Sequence, residues 1–305
     1  MIIGNSTRAF YERGLQSMTK VRSDVDKLQQ QLATGNRLEK SSDDPIAASR
    51  LRTLSRMERL GEVNELKTNR ASADLSLADV ALQDVSDLLV RVQELSIQAG
   101  AESLGDEQRK SIGIEVEEIY KQLVSLANSK DMGGHALFGG ETTAEAYGFD
   151  GAGNPVYLGD GTAGRLDLGE GQIVDRSLTC PQVFDYEVDG TPVNLLQVVK
   201  DLSVALAGGA ADSAAAARDA LPALSAGLEN VTTSQTVLGA RLVWLDFVAS
   251  RSEELGEQRA EERKEVGAAD IAETVTKLQE TLTVLEASQA SFAKVQSLSL
   301  FNHLR

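Results

Sequence analysis

Residues 28–45 read LQQQLATGNRLEKSSDDP, and this stretch decides how the chain is divided. Apolar residues recur at alternating intervals of three and four up to this point, and the pattern stops at Gly35. This spacing is typical of a helix that packs on another helix, and glycine commonly ends a helix. Polar residues then offer capping oxygens, and Pro45 fits the first turn of a new helix. We therefore expect an interhelical elbow formed by Gly35, Asp43, Asp44 and Pro45.

A second apolar seam lies in the last segment of the sequence, where the same spacing recurs until Gln289 takes one position. A heptad helix cannot bury its own seam and is marginal alone in water. By pattern alone, both seams suit an ordinary intramolecular core. Because the seams lie at the two ends of the sequence, we hypothesise that they order in a multi-subunit assembly. The expected contact residues are Met18, Val21, Val25, Leu28, Leu32, Ile271, Val275, Leu278, Leu282, Leu285, Phe292, Leu298, Leu300, Phe301 and Leu304.

The sequence between these seams predicts further helices around a glycine-rich middle. Hydrophobic residues make up 42% of the chain but aromatic residues only 4%, which favours long helices packed side by side. The expected fold is mainly α: an elongated antiparallel helical bundle or coiled coil formed by both chain ends, with a small central β-rich domain. The predicted segments are a first core helix at 1–40, rod helices at 41–132, a β-rich insertion at 133–193, rod helices at 194–270 and a last core helix at 271–305. Among the apolar positions of the second helix are Leu51, Leu54, Leu77, Val80, Leu88, Val92 and Leu95.

The charge and the reactive residues exclude several functions. A formal charge of −16 argues against nucleic acid as a partner, and the sequence has no apolar run long enough for membrane insertion. Cys180, the only cysteine, cannot form an intramolecular disulfide. His135 and His303 lie in different segments and bring too few ligands for a metal site. With no convergent acid, base and nucleophile, we expect no catalytic residues, no cofactor and no metal.

Three phrases, taken in their order along the chain, resemble the flagellin superfamily: LQQQLATGNRLEKSSDDPIAAS, NRASADLSLADVALQDVSDLLVRVQELSIQAG and VLEASQASFAKVQSLSLFNHL. Members of that superfamily place paired terminal helices inside a bacterial filament. Two segments are similar to the corresponding sequences of the branch found at the junction of hook and filament. They are HALFGG at 135–140 and the ending SLSLFNHL. The likeness covers roughly residues 1–140 and 235–305, and the insertion matches only loosely.

The resemblance implies a structural subunit of the bacterial flagellum that joins hook to filament by polymerising through its paired terminal helices. The implied partners are copies of this chain, a neighbouring hook-associated protein and flagellin, together with an export chaperone and the type III export apparatus. The chain would then be extracellular, exported without a cleaved signal peptide. The alternatives are a flagellin and, from another class, a soluble coiled-coil scaffold that stays in the cytosol. An enzyme is the least favoured alternative.

Overall fold

The computed structural model describes residues 3–142, 144–151, 153–169 and 171–303, without the side chains of residues 3–8, 10 and 296–303. Within this part of the chain, long helices flank a middle region of short strands, so the mainly α class with a small β region is confirmed. The helices are α1 (Ile3–Thr34), α2 (Pro45–Ala99), α3 (Asp106–Ala127), α4 (Cys180–Phe184), α5 (Leu195–Val204), α6 (Ser213–Gly267) and α7 (Ile271–His303). The strands are β1 (Tyr147–Phe149), β2 (Pro155–Tyr157), β3 (Arg165–Gly169), β4 (Gln172–Asp175), β5 (Asp185–Val188) and β6 (Thr191–Asn194).

The chain divides into two compact units. Unit 1 comprises Met1–Gly61 and Glu254–Arg305, and unit 2 comprises Glu62–Glu253. Unit 1 contains both predicted core helices together with the first turns of α2 and the last turns of α6. The division of the sequence into five segments, with boundaries near 40, 132, 193 and 270, stays a prediction.

Unit 2 contains a continuous hydrophobic core built on one face of α2. Buried residues recur along that face at intervals of four and three, the heptad period of packed helices. They are Ala71, Leu75, Ala78, Leu82, Val85, Leu89 and Val92. Leu77 and Val80 lie outside this register and are exposed. Leu123 of α3, Leu195 of α5 and Leu224 of α6 complete the core from the neighbouring helices.

Two close approaches fix the helices of unit 2 on one another. A Cβ atom on Gly113 would come within 2.9 Å of the Leu206 side chain, so glycine lets α3 approach the π-helical turn at Ala205–Gly209. The buried Arg109 donates through Nε to the carbonyl of Ala99 and through Nη2 to that of Ala101, each at 2.9 Å. The first bond satisfies the carbonyl of Ala99 at the end of α2, and the second holds the segment that follows the helix.

The strands pair as three separate antiparallel hairpins, β1 with β2, β3 with β4 and β5 with β6. A two-stranded hairpin alone is marginal in water, so each needs packing from outside its own strands. The buried side chains of Phe138, Tyr147 and Phe184 supply that packing. The rings of Tyr147 and Phe184 meet edge to face with their centroids 6.0 Å apart. The middle region is therefore held by the core of unit 2.

The core face of α2 predicts a large difference between two substitutions on the same helix. Leu82→Ala opens a cavity at a fully buried position and is expected to lower the free energy of unfolding of unit 2 by about 2–5 kcal/mol. Val80→Ala, at an exposed position two residues earlier, is expected to change it by less than about 0.5 kcal/mol. Urea unfolding followed by the fluorescence of Trp244, the only tryptophan, measures both. Equal losses from the two variants would contradict the assigned core face.

Candidate functional site

The two predicted seams lie together in unit 1, where α1 packs against α7. The rings of Tyr11 and Phe292 meet edge to face with centroids 5.5 Å apart. A Cβ atom on Gly14 would approach the Phe292 ring to 3.2 Å, so the glycine leaves room for that ring. Further along α1, Val25 is 5% exposed. The predicted pairing of the first and last helices is therefore present in the structure.

Most predicted seam residues are only partly covered by this pairing. At the start of α7, Ile271 is 51% exposed and Val275 37% exposed, while Thr274 between them is buried. The hydroxyl of Thr274 is satisfied at this buried position, because it donates to the carbonyl of Asp270 at 2.6 Å. The half-buried members are Met18, Val21, Leu28, Leu32, Leu278, Leu282, Leu285 and Phe292. The side chains of Leu298, Leu300 and Phe301, and all of Leu304, lie outside the described residues.

Unit 1 has a thin core compared with unit 2. Among its described side chains, the buried apolar ones are Val25, Ala47 and Leu54. Leu15 of α1 and Val284 of α7 are each more than half exposed. A helix pair with so few buried side chains gains little from packing, because stabilisation grows with the apolar area removed from water. The apolar surface left on α1 and α7 is therefore available to a further protein surface.

The interhelical elbow is held by a short piece of antiparallel backbone pairing with the link between α6 and α7. Gly35 takes a left-handed conformation, with φ of +68°, and its N–H donates to the carbonyl of Gln31 at 2.8 Å. The N–H of Arg37 then donates to Gly267, and the N–H of Ala269 donates to Gly35, at 2.8 and 2.9 Å. The break after α1 and the break before α7 thus form one structure.

Arg37 is the side chain that ties this structure together. Its guanidinium donates to the carbonyl of Val266 at 3.1 Å and to the Asp44 carboxylate at 3.2 Å. Its own carbonyl accepts a bond from the Gln31 side chain at 2.6 Å. Arg37 therefore connects the end of α1, the end of α6 and the start of α2. Sequence reasoning missed this role, because a single basic residue in a loop carries no spacing signal.

The two predicted elbow aspartates cap different groups. Asp44 accepts the N–H of Ala47 at 3.0 Å, as the N-cap of α2, and Pro45 is the first residue of that helix. The Ala47 bond and then the Arg37 bond lower the pKa of Asp44. Asp43 accepts the N–H groups of Lys40 and Glu39, and the first of these bonds does most to lower its pKa.

The link before α7 carries a cap that the sequence also signals. Asp270 accepts the N–H of Glu273 at 3.0 Å through its carboxylate. The pattern D-x-x-E ahead of an apolar run is a known helix-start signature.

Two ion pairs beside the elbow join α2 to α6 within unit 1. Arg50 binds the Glu262 carboxylate with two nitrogens, and Arg263 binds Glu58 at 2.8 Å.

The HALFGG segment of the predicted resemblance lies in unit 2, beside a buried carboxylate. Asp131 accepts the N–H groups of Gly133 and His135 at 2.8 and 2.9 Å. Burial opposes its ionisation, but these bonds outweigh burial and lower its pKa. Arg176 reaches both Asp131 and the buried Asp74, at 3.4 and 3.0 Å. This cluster fixes the exit from α3 onto α2.

Cys180 and Asp150 lie in surroundings typical of residues with a structural role. The Cys180 thiol is buried, and burial raises its pKa, which makes it a poor nucleophile. The Asp150 carboxylate accepts the backbone and side-chain N–H groups of Asn154, as in an ordinary turn. Within the described ranges, no group of three or more His, Cys, Asp or Glu residues could hold a metal ion. Of the helices in the same ranges, none is both long and apolar enough to cross a membrane.

Several known proteins are similar to this chain. The model of the bacterial flagellin N-terminal helical region matches residues 6–143. Flagellar hook-associated protein 3 of Escherichia coli is 26% identical over 97% of this chain and 98% of its own length. The protein of that name from Salmonella typhimurium is 29% identical over the same shares. A solved structure from Vibrio parahaemolyticus, described as a flagellar hook-associated protein, has a TM-score of 0.67 and 22% identity, and covers 74% of this chain and 100% of that one.

The chain is therefore similar to flagellin-type proteins: its residues 6–143 match the flagellin N-terminal region. The particular proteins to which it is similar over nearly its whole length are named flagellar hook-associated protein 3. Flagellins themselves match over a smaller part: flagellin FlaB1 of Treponema pallidum is 27% identical over 46% of this chain. The resemblance predicted from the flanking phrases is thus confirmed.

The left-handed backbone at Gly35 predicts that Gly35→Ala opens the elbow. No atom lies within 4 Å of the added Cβ, so the cost is conformational, about 1–2 kcal/mol. Tryptic cleavage at Arg37 and Lys40 in the full chain should rise several-fold, because cleavage follows the open population. Gly256→Ala is the matched control: it lies within α6 in the same unit with no atom near its Cβ, and it should stabilise the helix by about 1 kcal/mol. Unchanged cleavage in Gly35→Ala would contradict the assigned strain.

The Asp44 contacts predict a pKa below the ordinary aspartate value of about 3.9. Because the folded pKa is lowered, the cap contributes stability above the unfolded value and loses it as pH falls through the folded pKa. Arg37→Ala should raise the pKa of Asp44 but leave it lowered, since the Ala47 bond remains. The pKa of Asp43, held by other groups, is the internal control. NMR titration of both carboxyl groups measures this, and a wild-type Asp44 midpoint above the ordinary value would contradict it.

Proposed function

We propose that this chain is a structural subunit of the bacterial flagellum that joins the hook to the filament. The observation that carries this proposal is the extent of similarity. The two proteins named flagellar hook-associated protein 3 align with 97% of the chain, whereas flagellin FlaB1 aligns with 46%. The thin core of unit 1 supports the same function, because such a helix pair is suited to packing between copies.

The mechanism is coupled packing of α1 and α7. In one copy, residues such as Leu28 and Leu282 are only partly covered. Neighbouring copies supply the missing wall, and each Å² of apolar surface then removed from water contributes about 25 cal/mol. Assembly therefore stabilises the helix pair that forms the interface. The contact residues are the predicted seam members of both helices, including the tail positions Leu298, Leu300, Phe301 and Leu304.

The elbow separates the part of the chain that packs between copies from the rest. Segments 1–40 and 271–305 are the assembling helices in this proposal, and the segments from 41 to 270 are the supporting body. Because Arg37 and the backbone pairs join both breaks, α1 and α7 leave the body together. The paired helices therefore enter an assembly as one element.

The partners and the location follow from this role. Copies of this chain form a short ring, with a neighbouring hook-associated protein on one side and flagellin on the other. The chain acts outside the cell, on the flagellum, and does not act as an enzyme. It reaches that position unfolded, through the type III export apparatus, with an export chaperone and without cleavage of a signal peptide. The single cysteine suits such a route because no disulfide restricts the chain.

Immunogold labelling of intact flagella tests the proposal. A tag in the exposed turn around Asp150 leaves the helix pair unchanged. One labelled band at the distal end of the hook is expected. Uniform labelling along the filament would instead assign the chain to the flagellins, and label confined to the cytosol would assign it to soluble scaffolds. Either of those results overturns the junction role.

Charged substitution in the seam should block assembly. Leu28→Asp or Leu282→Asp places a carboxylate where neighbouring copies bury apolar surface, and burying an unpaired charge is strongly unfavourable. We expect loss of swimming and of hook-end label, with the unfolding midpoint of unit 2 unchanged. Gln29→Asp is the control, since Gln29 is an exposed neighbour of Leu28 on α1, and it should remain motile. Normal filaments in the Leu28→Asp strain would contradict the proposed interface.

A further inference from the structure

Unit 1 contains a basic groove beside the elbow. Its volume is about 810 Å³, and its apolar lining includes Leu38 and Leu51. Arg52, Arg56 and Arg59 line it from α2. Their spacing of four and three residues places all three guanidinium groups on one helix face. This concentration of positive charge is unusual in a chain whose formal charge is −16.

Each of the three arginines is exposed, and within the described side chains none of them makes an ion pair with a carboxylate. Lys264 adds positive charge from α6. The one acidic residue of the lining, Glu58, is already bound to Arg263 at 2.8 Å. The groove therefore retains an uncompensated positive charge over an apolar floor, which suits an acidic helical surface.

The same unit also presents an acidic ridge, formed by Glu257, Glu261 and Glu265 of α6. They recur every four residues, so they share one face of the helix, and all are exposed. Glu261 makes a loose contact with Lys264, with 3.9 Å between the carboxylate oxygen and Nζ. Both side chains remain at least 75% exposed. At about 1.5 Å per residue, the ridge is about 12 Å long and the arginine row about 10 Å. The two rows match in number and are similar in length.

We propose that the acidic ridge of one copy docks into the basic groove of the next. This inference rests on the proposed function and deepens it by naming a contact between neighbouring subunits outside the helix pair. Two different surfaces of the same unit meet in such a contact, so the interface is heterologous and repeats from copy to copy. A heterologous contact closes into a ring when the rotation between copies allows it, as a short junction requires. Opposite charges also fix the order and register of the copies.

Charge reversal tests the contact in the full chain. One variant combines Arg52→Glu, Arg56→Glu and Arg59→Glu, and the other combines Glu257→Arg, Glu261→Arg and Glu265→Arg. Each places three like charges against each other between copies, which opposes association strongly. The amount of chain in purified flagella, measured by immunoblot, should fall at least about tenfold in either variant. Far-UV circular dichroism of each purified variant should keep the helical signal of the wild type.

Two rescue experiments distinguish pairing between copies from damage to one copy. The chain carrying all six changes has the wild-type net charge and restores complementary surfaces, so it should assemble. Co-expression of the two triple variants should also restore assembly, because each supplies the surface that the other needs. Near-normal incorporation of either triple variant alone, or no rescue in both experiments, would overturn the docking proposal. Absence of the wild-type chain from the hook end would instead overturn the junction role itself.

Discussion

A seam of apolar residues on a single pair of helices leaves part of its surface in water, and the whole chain is organised around that constraint. In unit 2, α2, α3, α5 and α6 surround their common core, and side chains such as Leu82, Leu89 and Leu123 are fully buried. In unit 1, α1 and α7 have no such surrounding helices, and Val25 is the buried apolar side chain of the described part of this pair. The same heptad pattern therefore gives a finished core in one place and an incomplete one in the other.

The elbow joins the two incompletely packed helices, α1 and α7, at one point of the chain. A break after α1 alone would leave the first helix independent of the last. The backbone bonds from Arg37 to Gly267 and from Ala269 to Gly35, together with the Arg37 side chain, join the two breaks. Since both helices leave one joint, the elbow holds their bases together in the free chain, and the proposed packing between copies then stabilises the rest of the pair. Ordering fewer groups on association lowers its entropic cost.

Sequence reasoning predicted the local features because they depend on nearby residues. Gly35 ends α1 and Pro45 begins α2 where the spacing and the turn chemistry placed them. The pairing across the elbow was not predictable in the same way, since Arg37 and Val266 are far apart in sequence and neither belongs to a periodic pattern. The start of α7 shows a further reason. Thr274 is buried there while Ile271 and Val275 are exposed, and its hydroxyl is satisfied by the carbonyl of Asp270, so a polar residue occupies a position that apolar spacing does not indicate.

The central claim is that α1 and α7 complete their packing only between copies. Hydrogen exchange of backbone amides, compared between the free chain and purified flagella, tests it most directly. We predict that residues 18–32 and 271–292 exchange rapidly in the free chain, while the α2 core around Leu82 and Leu89 is protected, because exchange protection follows local stability. In flagella, the helix pair should become as protected as that core. Strong protection of both helices in the free chain, unchanged on assembly, would contradict the account.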